Sequence, residues 1–391
     1  MSEQVNIKEQ LLNKMNNNEF VIYFYTPSIN FPSGGVGVLF KQARVLKDAG
    51  FNVKFLFEPK LDEKASYQAS KKAQKRIFVY EKFNPTWMDV KFDDIEFMPQ
   101  VAPDEKGVIS PEIHYNDGTK APVSPTHING EDFLIIPEGY GNIMAQMAQA
   151  GCKKIILAQS WIYILNSLQA GQTWDSFGIK DCISVSDAIT EYVTSIMPNV
   201  KIKQYSQSIN RDLFNVPEKL SDKLPLIGYS CSRGPENQMK TFNAIKNFQM
   251  WYPNYKWMRF IELSNMSREE YAERLKDCAI VLYTDEIAGF GTLPLEAMAS
   301  GTHVVGFSPF GGKEYINQGN GFWANNGDVF QLSEFLGIAV DKWLNGELDQ
   351  EDVQKSYEET LARYTVEKEK ESILKIYQEY INERVDEIGK L

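Results

Sequence analysis

Apolar residues fall along this chain in two alternating rhythms. Short runs such as FVIYFYTP at 20–27 and FNVKFLF at 51–57 are apolar, rich in aromatics and bounded by turn residues, the pattern of strands buried on both faces. Between them Val36, Leu39, Phe40, Ala43 and Leu46 recur at helical spacing behind the glycine-rich SGGVG, and Gly50 stands where a helix stops. The unit this predicts is strand, helix, strand. It returns at FLIIPEGYG, KKIILAQS and DCISVSDAITEYVTSIM.

A polar, proline-ended connector over 203–226 interrupts the alternation, which then resumes. PLIGYSCSRG, KWMRFIEL, AIVLYT and THVVGFS read as strands, and NQMKTFNAIKNFQMW as a helix. SREEYAERLKDC reads as another, opened by Ser267 with Glu270 at capping-box spacing. Such alternation predicts an α/β protein of parallel sheets, and its repetition predicts two facing Rossmann-like domains, over 1–215 and 216–365. Residues 60–130 depart from the rhythm. They are first polar and charged, then rich in proline, glycine and aspartate, so loops or small hairpins are expected there, along with acceptor specificity. At 366–391, Ile373, Leu374, Ile376, Tyr377 and Tyr380 among charged residues predict an amphipathic helix.

Composition narrows the picture. A chain of 391 residues with 43% hydrophobic content can fill more than one core. A net charge of −11 opposes broad nucleic-acid binding. Four cysteines without C-x-x-C spacing and three histidines argue against a zinc site or a disulfide framework. The N-terminal residues lack the apolar core of a secretory signal, and no run reaches the ~18–20 apolar residues that span a bilayer, so the cytoplasm is the expected compartment.

DEIAGFGTLPLEAMASG, at 285–301, carries the candidate chemistry. It follows a strand, and ligands of open α/β sheets sit at the carboxyl ends of strands. Glycines at 289 and 291 allow close approach of the main chain, and a helix beginning near Leu293 or Pro294 offers unsatisfied amides to an anion. Glu296 then stands near the helix start, within reach of a hydroxyl pair. A plain tight turn with an acid favoured by the helix dipole accounts for the same letters.

The longer stretch GFGTLPLEAMASGTHVVGFSPFGGKEYI resembles the carboxyl-terminal motif of retaining, GT-B fold nucleotide-sugar glycosyltransferases of the glycogen-synthase-like group. That family's pattern is E-G-F-G-x-x-x-x-E-A-M-A-x-G followed by G-G-x-x-E. The chain matches it at Gly289, Phe290, Gly291, Glu296, Ala297, Met298, Ala299, Gly301, Gly311, Gly312 and Glu314. The resemblance implies that Glu296 binds the donor ribose and that the main chain of Gly289, Phe290, Gly291, Thr292 and Leu293 holds sugar and diphosphate. It also implies a basic pair on the diphosphate, Arg233 with Lys240, and a phosphate-facing glycine loop at Gly35 and Gly37. It implies as well that the C-terminal helix crosses back to the first domain.

One departure stands out. The family's first glutamate would fall at 288, where this chain has Ala288, and Glu286 or Asp285 is the nearest substitute.

The resemblance implies an enzyme that moves a hexose-type sugar from a nucleotide-diphosphate sugar, UDP-sugar first among donors, with retention. No D-x-D triplet occurs, which accords with leaving-group stabilisation by Arg233 and Lys240 and no metal. The donor is then a co-substrate and no further cofactor is expected. Acceptors stay open among glycans, lipid-linked sugars, small molecules and proteins, and oligomeric state is not readable. Rival readings are a DNA-base glycosyltransferase of the same fold, a catalytically impaired nucleotide-sugar-binding module, and an epimerase. Sugar or acceptor contacts are assigned to Glu286, His127 and Glu138. His303 reads as structural, and Lys71, Lys72, Lys75 and Arg76 as a solvated helical face.

Overall fold

The computed structural model describes residues 2–390 other than 30, 32, 89, 101–111, 123–127 and 232–233, with side chains from Lys8 onward. The first half of the chain runs α1 (Ser2–Asn16), β1 (Ile22–Thr26), α2 (Gly34–Asp48), β2 (Val53–Phe57), α3 (Glu63–Ala73), β3 (Phe78–Tyr80), β4 (Glu96–Pro99) and β5 (Ile113–Tyr115). It continues through β6 (Phe133–Pro137), α4 (Gly141–Gln146), β7 (Lys153–Ala158), α5 (Trp161–Asn166), β8 (Asp181–Ser184), α6 (Asp187–Ile196) and β9 (Lys201–Gln204). Among the described residues these strands form a parallel sheet in the order β4-β2-β1-β6-β7-β8-β9. Every residue of β1, β6 and β7 is buried, because helices cover both faces, and that is why β1 and β6 read as apolar runs, while β7 opens with two buried lysines, Lys153 and Lys154. Helix α2 turns Val36, Leu39, Phe40, Ala43 and Leu46 inward, as their spacing predicts.

The second half runs β10 (Leu224–Tyr229), α7 (Gly234–Trp251), β11 (Arg259–Glu262), α8 (Arg268–Asp277), β12 (Cys278–Tyr283), α9 (Thr292–Ala299), β13 (His303–Phe307) and β14 (Phe322–Ala324). Its sheet is also parallel, in the order β11-β10-β12-β13-β14. Ser267 and Glu270 form the expected capping box at the start of α8. Then come α10 (Val329–Leu344), α11 (Glu351–Leu361) and α12 (Val366–Gly389).

Helix α12 lies on the first half of the molecule. Tyr377 donates to Gln42 at 2.9 Å and Tyr380 to the Cys182 carbonyl at 3.0 Å. Buried Lys153 reaches both Asp181, at 2.9 Å, and Glu387, at 2.8 Å, so one cation ties β8 to α12. The chain thus crosses between the halves twice, along 205–223 and again near Tyr364. The two crossings touch where the Ile209 amide donates to the Tyr364 carbonyl at 3.0 Å.

Over 60–130 loops and a small hairpin do occur, the latter where His114 bridges Lys120 in antiparallel fashion, but regular elements occur as well. Residues 63–73 form α3, β4 extends the main sheet beside β2, and β3 pairs with β5 in parallel. Aromatic packing explains the β4 attachment: Phe97 stacks on Phe55 at 4.8 Å, and Phe55 on Phe40 at 4.3 Å. Among the described residues no helix is long and apolar enough to cross a membrane.

Candidate active site

The carboxyl ends of the two sheets face one another. Ser186, the N-cap of α6, donates its hydroxyl to the Gly289 carbonyl at 2.7 Å from the other side of the cleft. The Asp187 amide donates to Glu314 at 2.9 Å, and Trp161 packs on Phe310 at 5.9 Å between ring centroids. Burial raises the pKa of Glu314 despite the Asp187 amide and Tyr364 hydroxyl bonded to it. The G-G-x-x-E acid therefore joins the two halves of the molecule.

The turn before α9 is built by close main-chain approach. A methyl group on Gly289 would overlap the Gln159 carbonyl of the first half, and one on Gly311 would overlap the Gly289 carbonyl. Gly291 has φ of +83°, and a methyl there would also come within 2.8 Å of Pro309 and 2.9 Å of the Tyr283 hydroxyl. Phe290 is buried between Tyr315 and Tyr364, at 5.7 and 5.5 Å. Tyr315 in turn donates to the Gly291 carbonyl at 2.6 Å. These contacts hold the turn in one shape. Thr292 and Leu293 open α9, where Gly291 provides no side-chain cap, so their amides stand at a helix start suited to an anion.

Lys240 lies in the second turn of α7, and its ammonium is bonded to Glu286, just beyond β12, with Glu236 at 3.1 Å. Partial burial works against its charge, yet the bonds to Glu286 and Glu236 outweigh it and raise its pKa. A buried bond between the Thr241 and Thr284 hydroxyls, at 2.7 Å, fixes α7 against the end of β12 and so sets where Lys240 points. Ala288 is buried, its carbonyl accepting from the Gly311 amide at 3.0 Å. Glu286 is then a carboxylate of this turn already engaged with the candidate diphosphate cation.

Glu296 is only 2% exposed. Arg268 donates to one of its oxygens at 2.5 Å and Tyr271 to the other at 2.8 Å. Across the cleft Gly35 and Gly37 form the first turn of α2, capped by Ser33, and the Gly35 carbonyl accepts from the Gln159 side chain at 3.1 Å. Gln159 thus touches both glycine turns, one through its amide side chain and the other through its carbonyl. Glu138 is buried at the carboxyl end of β6. Burial, with the charges of Glu138 and Glu58, pushes the pKa of neighbouring Tyr140 up to about 12.

Arg233 and His127 lie outside the described residues. His303 sits at the amino end of β13, away from the cleft, with Nδ1 2.7 Å from the Tyr357 hydroxyl; burial lowers its pKa against the pull of Asp349. Helix α3 buries none of its residues, and just beyond it Lys75 pairs with Glu112 at 2.6 Å. Among the described residues no group of three or more His, Cys, Asp or Glu side chains could hold a metal ion.

Sequence reasoning missed Gln159, Ser186, Arg268 and Tyr271. The first two follow β7 and β8 directly, so the rule placing ligands at strand ends points at them. Arg268 stands immediately after the legible Ser267 cap, but its pairing with Glu296 joins two helices and leaves no mark in local spacing.

Residues 259–360 match the family model described as Glycosyl transferases group 1. An alpha-1,6-glucosyltransferase of Actinobacillus pleuropneumoniae serotype 7 (strain AP76) is 28% identical over 141 residues, which cover 35% of this chain and 42% of that protein. The match thus spans less than half of that relative's length. Among solved structures, a point mutant of Staphylococcus aureus TarM in complex with fondaparinux, alpha-GlcNAc-glycerol and UDP superposes with a TM-score of 0.62 at 11% identity, covering 93% of this chain and 100% of TarM. Anabaena HepE, in complex with UDP and glucose, gives 0.61 at 12% identity over 92% of this chain and 100% of HepE. The pneumococcal O-GlcNAc transferase GtfA, in complex with UDP and GlcNAc, gives 0.58 at 12% over 94% and 99%.

Proposed function

We propose, for a chain with a glycosyl transferases group 1 domain on a GT-B scaffold, that it is a glycosyltransferase using a nucleotide-diphosphate sugar, with UDP as the first nucleotide to try. The observation that carries this reading is the convergence at the cleft. The glycine-opened helix starts of α2 and α9 both meet Gln159, and the Lys240 ammonium and Glu296 carboxylate come from the same carboxyl edge of the second sheet. Relatives of the same fold bind UDP with sugars, which supports the choice of nucleotide.

In this mechanism the bond between the sugar's anomeric carbon and the diphosphate oxygen breaks as the acceptor oxygen bonds that carbon from the same face. The acceptor's proton passes to the departing phosphate oxygen. Negative charge grows on the diphosphate, and in this reading the Thr292 and Leu293 amides and Lys240 stabilise it, with Arg233, named by the sequence resemblance, as the second cation. The Lys240 ammonium carries three N–H donors, of which Glu286 and Glu236 take two. Glu296 holds the ribose, and Glu286 and Glu138 remain the candidate sugar and acceptor contacts among the described residues.

Nucleotide release from UDP-, GDP- and ADP-sugars, with and without EDTA and with glucoside and glycan acceptors, tests the proposal. Release that depends on one nucleotide and survives chelation is the expected result. No release from any donor, together with no calorimetric binding of UDP, GDP or ADP, overturns it.

A further inference from the structure

We infer that Arg268 positions Glu296 for the donor's ribose, with Tyr271 as a second hold; the inference rests on the donor-site reading above. Arg268 opens α8 right behind its N-cap, so it stands at the carboxyl edge of the second sheet, on the side where α9 begins. Glu296 lies in a helix whose Leu295, Ala297 and Met298 are also buried. A carboxylate in such surroundings needs a counter-charge and hydrogen-bond donors.

Each oxygen of Glu296 has one donor: Arg268 Nη2 at 2.5 Å on Oε1, and Tyr271 Oη at 2.8 Å on Oε2. An ionised carboxylate has about four acceptor sites, so one donor per oxygen leaves each oxygen able to accept again. Two adjacent acceptors suit the vicinal 2′- and 3′-hydroxyls of a ribose. Arg268 also offsets the charge that Glu296 would otherwise present to an incoming diphosphate. The guanidinium is itself fixed in place. Its Cζ lies 4.7 Å from the Phe214 ring centre and 5.3 Å from that of Tyr271, and those two rings meet edge-on at 6.0 Å. A lysine would supply the charge without the planar fork.

The test measures binding of UDP and 2′-deoxy-UDP to the full chain by calorimetry, in the unaltered protein and in Arg268→Met, Arg268→Lys and Tyr271→Phe. The unaltered protein is expected to favour UDP by about tenfold or more, the worth of a hydrogen bond to a charged group. Arg268→Met brings the two nucleotides to within about twofold while the diphosphate still binds, Arg268→Lys restores part of the preference, and Tyr271→Phe falls between. A folded Arg268→Met or Tyr271→Phe protein that keeps the full preference overturns the inference. Should Arg268→Met fail to fold, Tyr271→Phe decides by the same criterion. If GDP or ADP binds in place of UDP, the same comparison is made with that nucleotide and its 2′-deoxy form; if none of the three binds the unaltered protein, the donor-site reading falls first and this inference with it.

Discussion

In the turn before α9, a methyl on Gly289 would overlap a main-chain carbonyl of the opposite domain, whereas one on Gly34 or Gly37 in the first turn of α2 would meet nothing within 4 Å. The two turns look alike in sequence, SGGVG and GFG, and both open helices at the carboxyl end of a parallel strand. One is closed around protein and the other is open. A glycine pattern therefore marks close approach without saying what approaches. At Gly289 the structure supplies a main-chain partner; at α2 a methyl on Gly35 would reach only the flexible Gln159 side chain, at 3.4 Å.

Substitutions can break or sharpen that contrast. Gly289→Ala has the largest expected effect: the Gln159 carbonyl must move, the Ser186 bond is lost, and stability falls by about 3 kcal/mol in chemical denaturation, with donor turnover falling alongside. Gly291→Ala comes next, since φ of +83° and the nearby Pro309 ring both oppose a side chain. About 1–3 kcal/mol is expected to be lost, read by the same denaturation curve. Gln159→Ala removes the side-chain bond to Gly35 while sparing the carbonyl packed on Gly289, so about 1 kcal/mol is expected, with the loss confined to hydrogen exchange around α2. Gly37→Ala should be smallest in stability and opposite in sign, a gain of up to about 1 kcal/mol from helix propensity, accompanied by weaker nucleotide binding. If Gly37→Ala leaves nucleotide affinity untouched, the space above α2 serves no phosphate.

The alternating strands and helices were readable because burial on both faces imposes continuous apolar runs, and α2 and α8 because caps and spacing agree. Within 60–130, strand β4 and the extent of α3 were not. Strand β4 is four residues long, and its attachment depends on Phe97 meeting Phe55, a contact between distant parts of the chain. Helix α3 has no buried residue and so no apolar stripe to detect. At the site, the α9 turn and Glu296 were visible in the motif, and Ala288 flagged the missing acid. That Glu286 would hold Lys240, and Arg268 hold Glu296, could not be seen, because each pair joins separate elements across 46 and 28 residues of chain.

The double crossing between the halves has a mechanical meaning. A single covalent link would let one lobe swivel about the other in any direction. Here two stretches run side by side, joined from Ile209 to Tyr364, with Ser208 bonded to Glu369 at 2.6 Å. They act as adjacent pins on one edge, like a door hung on its frame. The bonds from Ile209 to Tyr364 and from Ser208 to Glu369 resist a twist of one half about the other that a single covalent link would allow.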